Sequence, residues 1–263
     1  MCVVVPTFNE AGNVAQLLTR LGAALTPVCE QSGWKFEVVF VDDSSDDTPR
    51  TIESEAAKSR FPVRLIHRAT PDGGLGGAVL EGLRSTAAPW AVVMDADLQH
   101  PPETVPAMLA VCARGECDLV VATRYASTGA DAAEGLGKRY RVLVSRWTTA
   151  VCKMLFSRRL AGTSDPMSGF FAVRGDVLEG IRLHPSGYKI LLEIAVRCAP
   201  LRIAEVPYVF QSRFAGESKA SFAEGLRFLK HLFRLRVSAT GSRRPVREPA
   251  ELPDALPDLV KHW

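Results

Sequence analysis

Apolar positions in this chain fall into two rhythms. Short, largely apolar runs occur at Cys2–Val5, Phe36–Val41, Val63–His67 and residues 90–95, and all but Val63–His67 end at proline or acidic residues. Such runs predict buried strands. Between them Val14, Leu17, Leu18, Leu21 and Leu25 recur at helical spacing, and further helices are expected from near Pro49 and from the Gly73–Gly77 turn. Asn9 or Thr7 is placed to cap the first helix, with Glu10 near its positive end. Further on, the pattern predicts a helix over 103–114, with Val105, Met108, Leu109 and Cys112 on one face, and a strand over 118–123. A loop rich in glycine, alanine and charge follows over 126–140, then a helix over 141–156 and a turn and strand over 165–173. A helix over 188–198 and a last strand over 206–212 complete the reading, and no internal repeat is evident. Strands alternating with helices imply an α/β fold with a mostly parallel sheet flanked by helices.

Composition narrows this picture. With 263 residues, 47% hydrophobic and 23% charged, the chain suits one α/β domain with a sizeable core. The net charge of +3 is too small to point to nucleic acid. Six cysteines, at positions 2, 29, 112, 117, 152 and 198, show no paired metal-ligand spacing, so buried, reduced thiols in a cytoplasmic protein are expected. Charged and polar residues begin by Glu10, which argues against a signal peptide, and no apolar stretch reaches the ~20 residues that span a bilayer. The first strand begins almost at Met1, which leaves open an earlier start.

The chemistry concentrates where strands end. Residues 91–94 run straight into Asp95-Ala96-Asp97-Leu98-Gln99-His100-Pro101-Pro102-Glu103. Alternate residues of an extended segment share a side, so Asp95 and Asp97 can aim at one point, with Gln99 adding a neutral oxygen. Two convergent carboxylates are unfavourable unless a positive charge sits between them, and a hard divalent cation gripping a diphosphate meets that need. Alone, an Asp-x-Asp pair reads equally as a solvated turn. Two earlier segments share its grammar, Val5-Pro6-Thr7-Phe8-Asn9-Glu10 and Val41-Asp42-Asp43-Ser44-Ser45. Three strands that each discharge polar or acidic residues describe the rim of a nucleotide-binding crevice. Gly74-Leu75-Gly76-Gly77 could cradle phosphate or be only a tight turn. Asp165 reads as a turn or capping residue that orients Ser168 or an arginine, and His100 as a rim residue; neither is given a proton-transfer role.

These segments resemble the signature of glycosyltransferases with the GT-A (Rossmann-like) nucleotide-sugar-binding fold. Later stretches narrow the resemblance to the dolichol-phosphate (polyprenol-phosphate) mannose synthases: Ala122-Thr123-Arg124-Tyr125, Arg141 with Ser145, residues 165–171, Gly187-Tyr188-Lys189-Ile190-Leu191-Leu192-Glu193, residues 206–210 and Arg213–Lys219. It covers about residues 2–235, with the motifs in order. The resemblance implies an inverting transfer of a sugar, mannose from GDP-mannose, to a polyprenyl or dolichyl phosphate. Asp95, Asp97 and Gln99 would hold Mg2+ or Mn2+, the two aspartates serving catalysis. It implies donor contacts at Pro6, Phe8, Glu10, Val41, Asp43, Ala96 and Asp97, with Arg213 and Lys219 closing over the diphosphate. It assigns the acceptor phosphate to Arg124, Arg141 and Ser145. Phe8 departs from the tyrosine more usual in the family, so stacking would survive without a hydroxyl contact.

Three readings stand beside this one. The same fold could take a UDP-sugar, the chain could be an idle nucleotide-binding subunit, or the Asp-x-Asp pair could belong to a phosphatase. Relatives often carry transmembrane helices after the catalytic domain, and no such stretch is expected within these 263 residues. Phe222, Leu226, Leu229, Phe233 and Val237, widened by Phe228, Leu232 and Leu235, instead predict an amphipathic helix over about 222–237. Its basic face of Arg227, Lys230, His231 and Arg234 suits peripheral attachment to the cytoplasmic face of an anionic membrane. A separate membrane-protein partner is the alternative route. The catalytic domain is expected over 1–238, and the Pro- and Glu-rich 239–263 as a disordered tail.

Overall fold

The computed structural model describes residues 1–125, 139–184, 189–198, 200–211 and 231–238; within 139–146 it describes the backbone alone. Seven strands form one sheet: β1 (Cys2–Thr7), β2 (Glu37–Asp42), β3 (Val63–His67), β4 (Trp90–Val93), β5 (Leu119–Thr123), β6 (Phe171–Arg174) and β7 (Ile203–Pro207), in the order β3-β2-β1-β4-β6-β5-β7. All neighbours are parallel except β6, which runs antiparallel to both β4 and β5. The mostly parallel α/β sheet expected from the sequence is therefore observed.

Strict alternation along the strands builds two cores. Cys2, Val4, Val39, Val41, Ala91, Val93, Leu119 and Val121 face one side. There they meet α3 (Gly74–Arg84), α5 (Arg139–Leu155) and α6 (Ile190–Arg197). Val3, Val5, Val38, Phe40, Trp90, Val92 and Val120 face the other, under α1 (Ala11–Ser32), α2 (Thr48–Ala56) and α4 (Val105–Ala113). A one-residue slip would exchange the two faces, so burial on both sides holds the register. Each fully buried Val or Leu contributes about 1.5–3 kcal/mol of transfer free energy.

Several boundaries differ from the sequence expectation. β4 ends at Val93, so Asp95 and Asp97 lie beyond the strand in a turn. The last strand is Ile203–Pro207 rather than 206–212, because it follows β5 as an edge and leaves it once β5 ends at Thr123. Neither Asn9 nor Thr7 caps α1: the residue before the helix is Glu10, without a side-chain cap, since Thr7 bonds Asp42 at the end of β2 and Asn9 bonds Ser45 in the loop after it. The helix expected over 141–156 is Arg139–Leu155, and the rest of the loop expected over 126–140, the first part of the expected 222–237 helix and the expected tail 239–263 lie outside the described residues.

Two topological facts position the site. Chain order reverses at β1, with β2 on one flank and β4 on the other, which opens a crevice at their carboxyl ends. Val4 O accepts from Met94 N on the β4 side, and alternation turns position 6 to that same side, where β4 has ended. Pro6, lacking an N–H, therefore removes no ladder bond there. The antiparallel β6 then brings its amino end, and with it Asp165–Phe170, to the same edge as the carboxyl ends of β4 and β5.

Candidate active site

At the end of β2, Asp42 is fully buried and gathers three elements. Its Oδ1 accepts from Thr7 Oγ1 at 2.7 Å and Ser44 Oγ at 2.5 Å, and its Oδ2 meets Ser44 N at 3.2 Å and His67 Nδ1 at 2.8 Å. Asp43 forms a forked ion pair with Arg68, whose Nε donates to Oδ1 at 2.6 Å. The same guanidinium donates to Asp72 O at 3.0 Å and Gly74 O at 3.1 Å, tying the glycine turn before α3 to the crevice. Asn9, at φ 58°, receives Ser45 N on its side chain and donates its own N–H to Ser44 Oγ at 2.7 Å. Glu10 N donates to Thr48 Oγ1 at 2.9 Å, and its carboxylate accepts from Asn13 Nδ2. Phe8 is 50% exposed at the rim. Pro6, Val41 and Ala96 have buried side chains, so they offer backbone to a ligand.

The Asp95–His100 turn forms the second wall. Asp97 is buried and accepts Gln99 N at 3.1 Å on Oδ1 across Leu98. Leu98 has φ 63°, a left-handed conformation unfavourable for a branched side chain and held here by burial of that side chain. Gln99 Nε2 donates to Gln211 O at 3.3 Å, and Gln211 N donates to Gln99 O at 3.1 Å. Asp95 remains partly exposed, and its N–H donates to His100 Nδ1 at 3.0 Å. His100 is not the expected rim residue: it is 3% exposed, stacked on Phe170 and edge-on to Tyr208 and Phe210. Phe170, Tyr208 and Phe210 close around the ring. Burial presses its pKa down to about 4, against the pull of Asp97, so the ring is neutral and its 3.6 Å approach to Asp95 Oδ2 is no ion pair.

The third wall is a buried pair. Arg124 grips Asp165 through Nε at 2.8 Å and Nη2 at 3.1 Å, and Asp165 has no exposed surface. Burial alone would favour loss of the guanidinium proton, but the forked bond and the charge of Asp165 outweigh it and raise the pKa. The guanidinium also lies 5.6 Å from the ring centres of Tyr125 and Phe210. Asp165 orients both groups expected of it, Arg124 through its side chain and Ser168 through its carbonyl, which accepts Ser168 N at 3.1 Å. Ser168 Oγ donates to Ala122 O at 2.8 Å and fixes the turn beside β5.

Lys189 is a site residue that the sequence placed in a motif but gave no role. Burial is the main cause that lowers its pKa to about 7, and Arg124 adds to the effect, while Asp165 and Asp95 oppose it. Arg141 and Ser145 lie on α5, at positions that by helical register share the face of buried Cys152; their side chains are outside the described residues, as are Arg213 and Lys219.

Among the described residues no three His, Cys, Asp or Glu side chains converge as a metal cluster. The donor set at the turn is two carboxylates and one carboxamide, oxygen chemistry that fits a hard cation. Gly169 clears space beside it: a Cβ there would stand 3.5 and 3.7 Å from the Asp95 carboxylate oxygens and 3.2 Å from His100 Cε1.

Comparison with known proteins agrees with this architecture. The family model for glycosyl transferase family 2 matches residues 2–182. A dolichol-phosphate mannosyltransferase from Pyrococcus furiosus is 37% identical over 234 residues, 89% of this chain and 62% of that one. The chain thus spans less than two thirds of that relative. A dolichol-phosphate mannosyltransferase from Saccharomyces cerevisiae is 36% identical over 248 residues, covering 91% of this chain and 88% of its own. Glucosyl-3-phosphoglycerate synthase from Mycobacterium tuberculosis, crystallised with Mn2+, UDP and glucosyl-3-phosphoglycerate, shares the fold. Its TM-score is 0.63 at 19% identity, over 92% of this chain and 80% of that one. A carboxylate-bearing turn at the switch point of a mostly parallel sheet, joined to these matches, places the chain in glycosyl transferase family 2: it is a glycosyltransferase.

Proposed function

We propose that this chain transfers mannose from GDP-mannose to a polyprenyl or dolichyl phosphate, with inversion at the anomeric carbon. The observation that carries this reading is that two groups meet at one edge of the sheet. The acidic Asp95–Gln99 turn and the Arg124–Asp165 pair lie where β4 and β5 end and β6 begins, with Gly169 beside Asp95, in a chain 36% identical to a dolichol-phosphate mannosyltransferase over most of its length. The reaction needs no strong base, because a phosphate monoester is already an anion near neutral pH. Its oxygen forms the new bond to the anomeric carbon as the bond to the nucleoside diphosphate breaks. Asp95, Asp97 and Gln99 would hold Mg2+ or Mn2+, which when bound neutralises the charge developing on the leaving diphosphate.

The remaining roles follow position. Phe8 offers a face at the rim for a base, while Pro6, Glu10, Val41, Asp43 and Ala96 line the donor side. Arg68 holds Asp43 in place. Arg213 and Lys219 are assigned to the diphosphate, and Arg124, Arg141 and Ser145 to the acceptor phosphate, for which arginine forks and a hydroxyl are suited. Asp165 keeps Arg124 charged and oriented. Because the acceptor is a lipid, the enzyme works at a membrane surface. No described helix is long and apolar enough to cross one.

The test is transfer from GDP-mannose to a short-chain polyprenyl phosphate with added Mg2+ or Mn2+. Excess chelator should abolish it, and returning the metal should restore it. Full activity in chelator would overturn the metal assignment at Asp95, Asp97 and Gln99.

A further inference from the structure

The three oxygen donors of the Asp95–His100 turn are each fixed by a different hydrogen bond. Asp97 Oδ1 accepts Gln99 N at 3.1 Å inside the turn. Gln99 Nε2 donates to Gln211 O at 3.3 Å, which turns the carboxamide oxygen away from that carbonyl. Asp95 is fixed through its backbone: its N–H donates to Nδ1 of His100 at 3.0 Å. Of these three bonds, only the last is made by a side chain that is not itself an oxygen donor. The chemistry proposed above gives that side chain no role.

The imidazole is clamped by two further segments. It stacks on Phe170, just before β6, with centroids 5.1 Å apart and planes 22° apart. Tyr208 and Phe210, just after β7, meet it edge-on at 5.9 and 6.1 Å. A phenylalanine would fill this cluster as well and would bury no polar atom. What the imidazole adds is the acceptor at Nδ1. In a neutral ring an acceptor at Nδ1 leaves the proton on Nε2. The Nδ1 lone pair is thus spent on the Asp95 N–H, and its 3.6 Å approach to Asp95 Oδ2 brings no donor to the carboxylate. The ring therefore fixes where residue 95 stands without competing for its oxygens. Gly169 permits this closeness, since a Cβ there would stand 3.2 Å from His100 Cε1 and 3.5 Å from Asp95 Oδ2.

We propose that His100 is a positioning residue for the divalent cation: by accepting the Asp95 N–H on Nδ1, it sets the Asp95 carboxylate beside Asp97 and Gln99 for a shared ion. This rests on the cation reading of those three residues given above. A small hard cation tolerates little displacement of its oxygen ligands. Loss of a group that orients a metal ligand typically costs about 10–100-fold in metal affinity. The effect belongs to the cation, so binding of GDP without metal should not depend on His100.

The test is Mn2+ binding in the presence of GDP, followed by the paramagnetic resonance signal of free Mn2+, with the full chain. His100→Phe keeps the stacking and removes the acceptor. His100→Asn removes the ring and keeps an acceptor oxygen about where Nδ1 stands. His100→Phe should weaken Mn2+ binding about tenfold or more, and His100→Asn by no more than about threefold. Calorimetry with GDP alone should give the same affinity for both variants as for the unaltered protein. Full Mn2+ affinity in His100→Phe would overturn the proposal, and so would equal loss in both variants, which would leave only the packing of the ring. Asp97→Asn locates the ion. Mn2+ bound by the unaltered protein, lost in Asp97→Asn and kept in His100→Phe sinks His100 alone. No Mn2+ bound by the unaltered protein sinks the cation reading, and the role of His100 with it. A measurement on the unaltered protein stands even where His100→Phe fails to fold. Nitrogen-15 resonances of the His100 ring should show Nδ1 without a proton and Nε2 with one, and the opposite tautomer would overturn the proposal.

Discussion

Asp165 and Asp97 are both buried carboxylates, but they differ in what neutralises them. Asp165 has a permanent partner in Arg124. Removing one member of such a pair leaves the other charge buried, so Asp165→Asn should destabilise the fold by about 3 kcal/mol. A drop in the midpoint of thermal unfolding checks this, and an unchanged midpoint would contradict it. Asp97 is bonded to a backbone N–H within its own turn, so Asp97→Asn should keep the fold. It should lower transfer by roughly 100-fold or more through lost charge at the diphosphate. Calorimetry with GDP and metal should show weakened binding in the same variant. Asp95, Asp97 and Gln99 were legible because they are neighbours in sequence. Asp42, Arg68 and Lys189 were not, because what makes them matter lies far along the chain. Asp42 is satisfied from Thr7, Ser44 and His67, and Arg68 closes on Asp43 and on the glycine turn. Such partners have no local signature.

At the scale of elements, helical and strand rhythms were readable and their ends were not. α3 sits close to the sheet because position 82 is glycine: a Cβ there would run into Val4 Cγ1 and stand 3.0 Å from Val41 Cγ2. Gly82→Ala gains helix propensity of about 1 kcal/mol but overpacks a buried face at about 1–3 kcal/mol, so urea unfolding should show a net loss of stability. The helical residues 231–238 correct a face assignment. His231, read from sequence as part of a basic face, is buried with Leu232 and Leu235, while Phe233 and Val237 are exposed. Neither imidazole nitrogen of His231 has a hydrogen-bond partner among the described residues. The helix is rotated so that the widened edge of the apolar face, Leu232 and Leu235, meets the core together with His231 from the expected basic face, which periodicity over a wide apolar stripe does not specify. Burial is the main cause that lowers the His231 pKa below its usual 6.5, although Glu193 pulls the other way. The folded ring therefore takes up a proton less readily than a free imidazole, and the unfolded chain takes up the proton first as pH falls through about 6.5. Stability from this group is therefore full above that pH and lost below it. His231→Leu should flatten the decline in the urea midpoint between neutral pH and about pH 5.5, and parallel curves for the two proteins would contradict the assignment.

For the whole molecule, alternation of strands and helices revealed the α/β class, but not the antiparallel β6 in the middle of the sheet. A four-residue strand between a turn and another turn reads the same in either direction, since its direction depends on which neighbours it joins. That strand is what carries Asp165 and Gly169 to the crevice, so their placement beside Asp95 and His100 was not legible until the topology was known. The cysteines behaved as composition implied: all six are free and buried. Burial foremost pushes Cys2 up to about 12 and Cys117 and Cys152 to about 11. Alkylation of the native protein near neutral pH should therefore be slow at every cysteine and fast in denaturant, by mass spectrometry. The central claim, mannosyl transfer to a lipid phosphate, is tested most directly by donor competition. The protein is incubated with polyprenyl phosphate-bearing membranes and either radiolabelled GDP-mannose or radiolabelled UDP-glucose, and the lipid is extracted. The account predicts label in the lipid fraction from GDP-mannose, released by mild acid and absent with the Asp97→Asn variant. Label from UDP-glucose alone, or no lipid label from either donor, would contradict it.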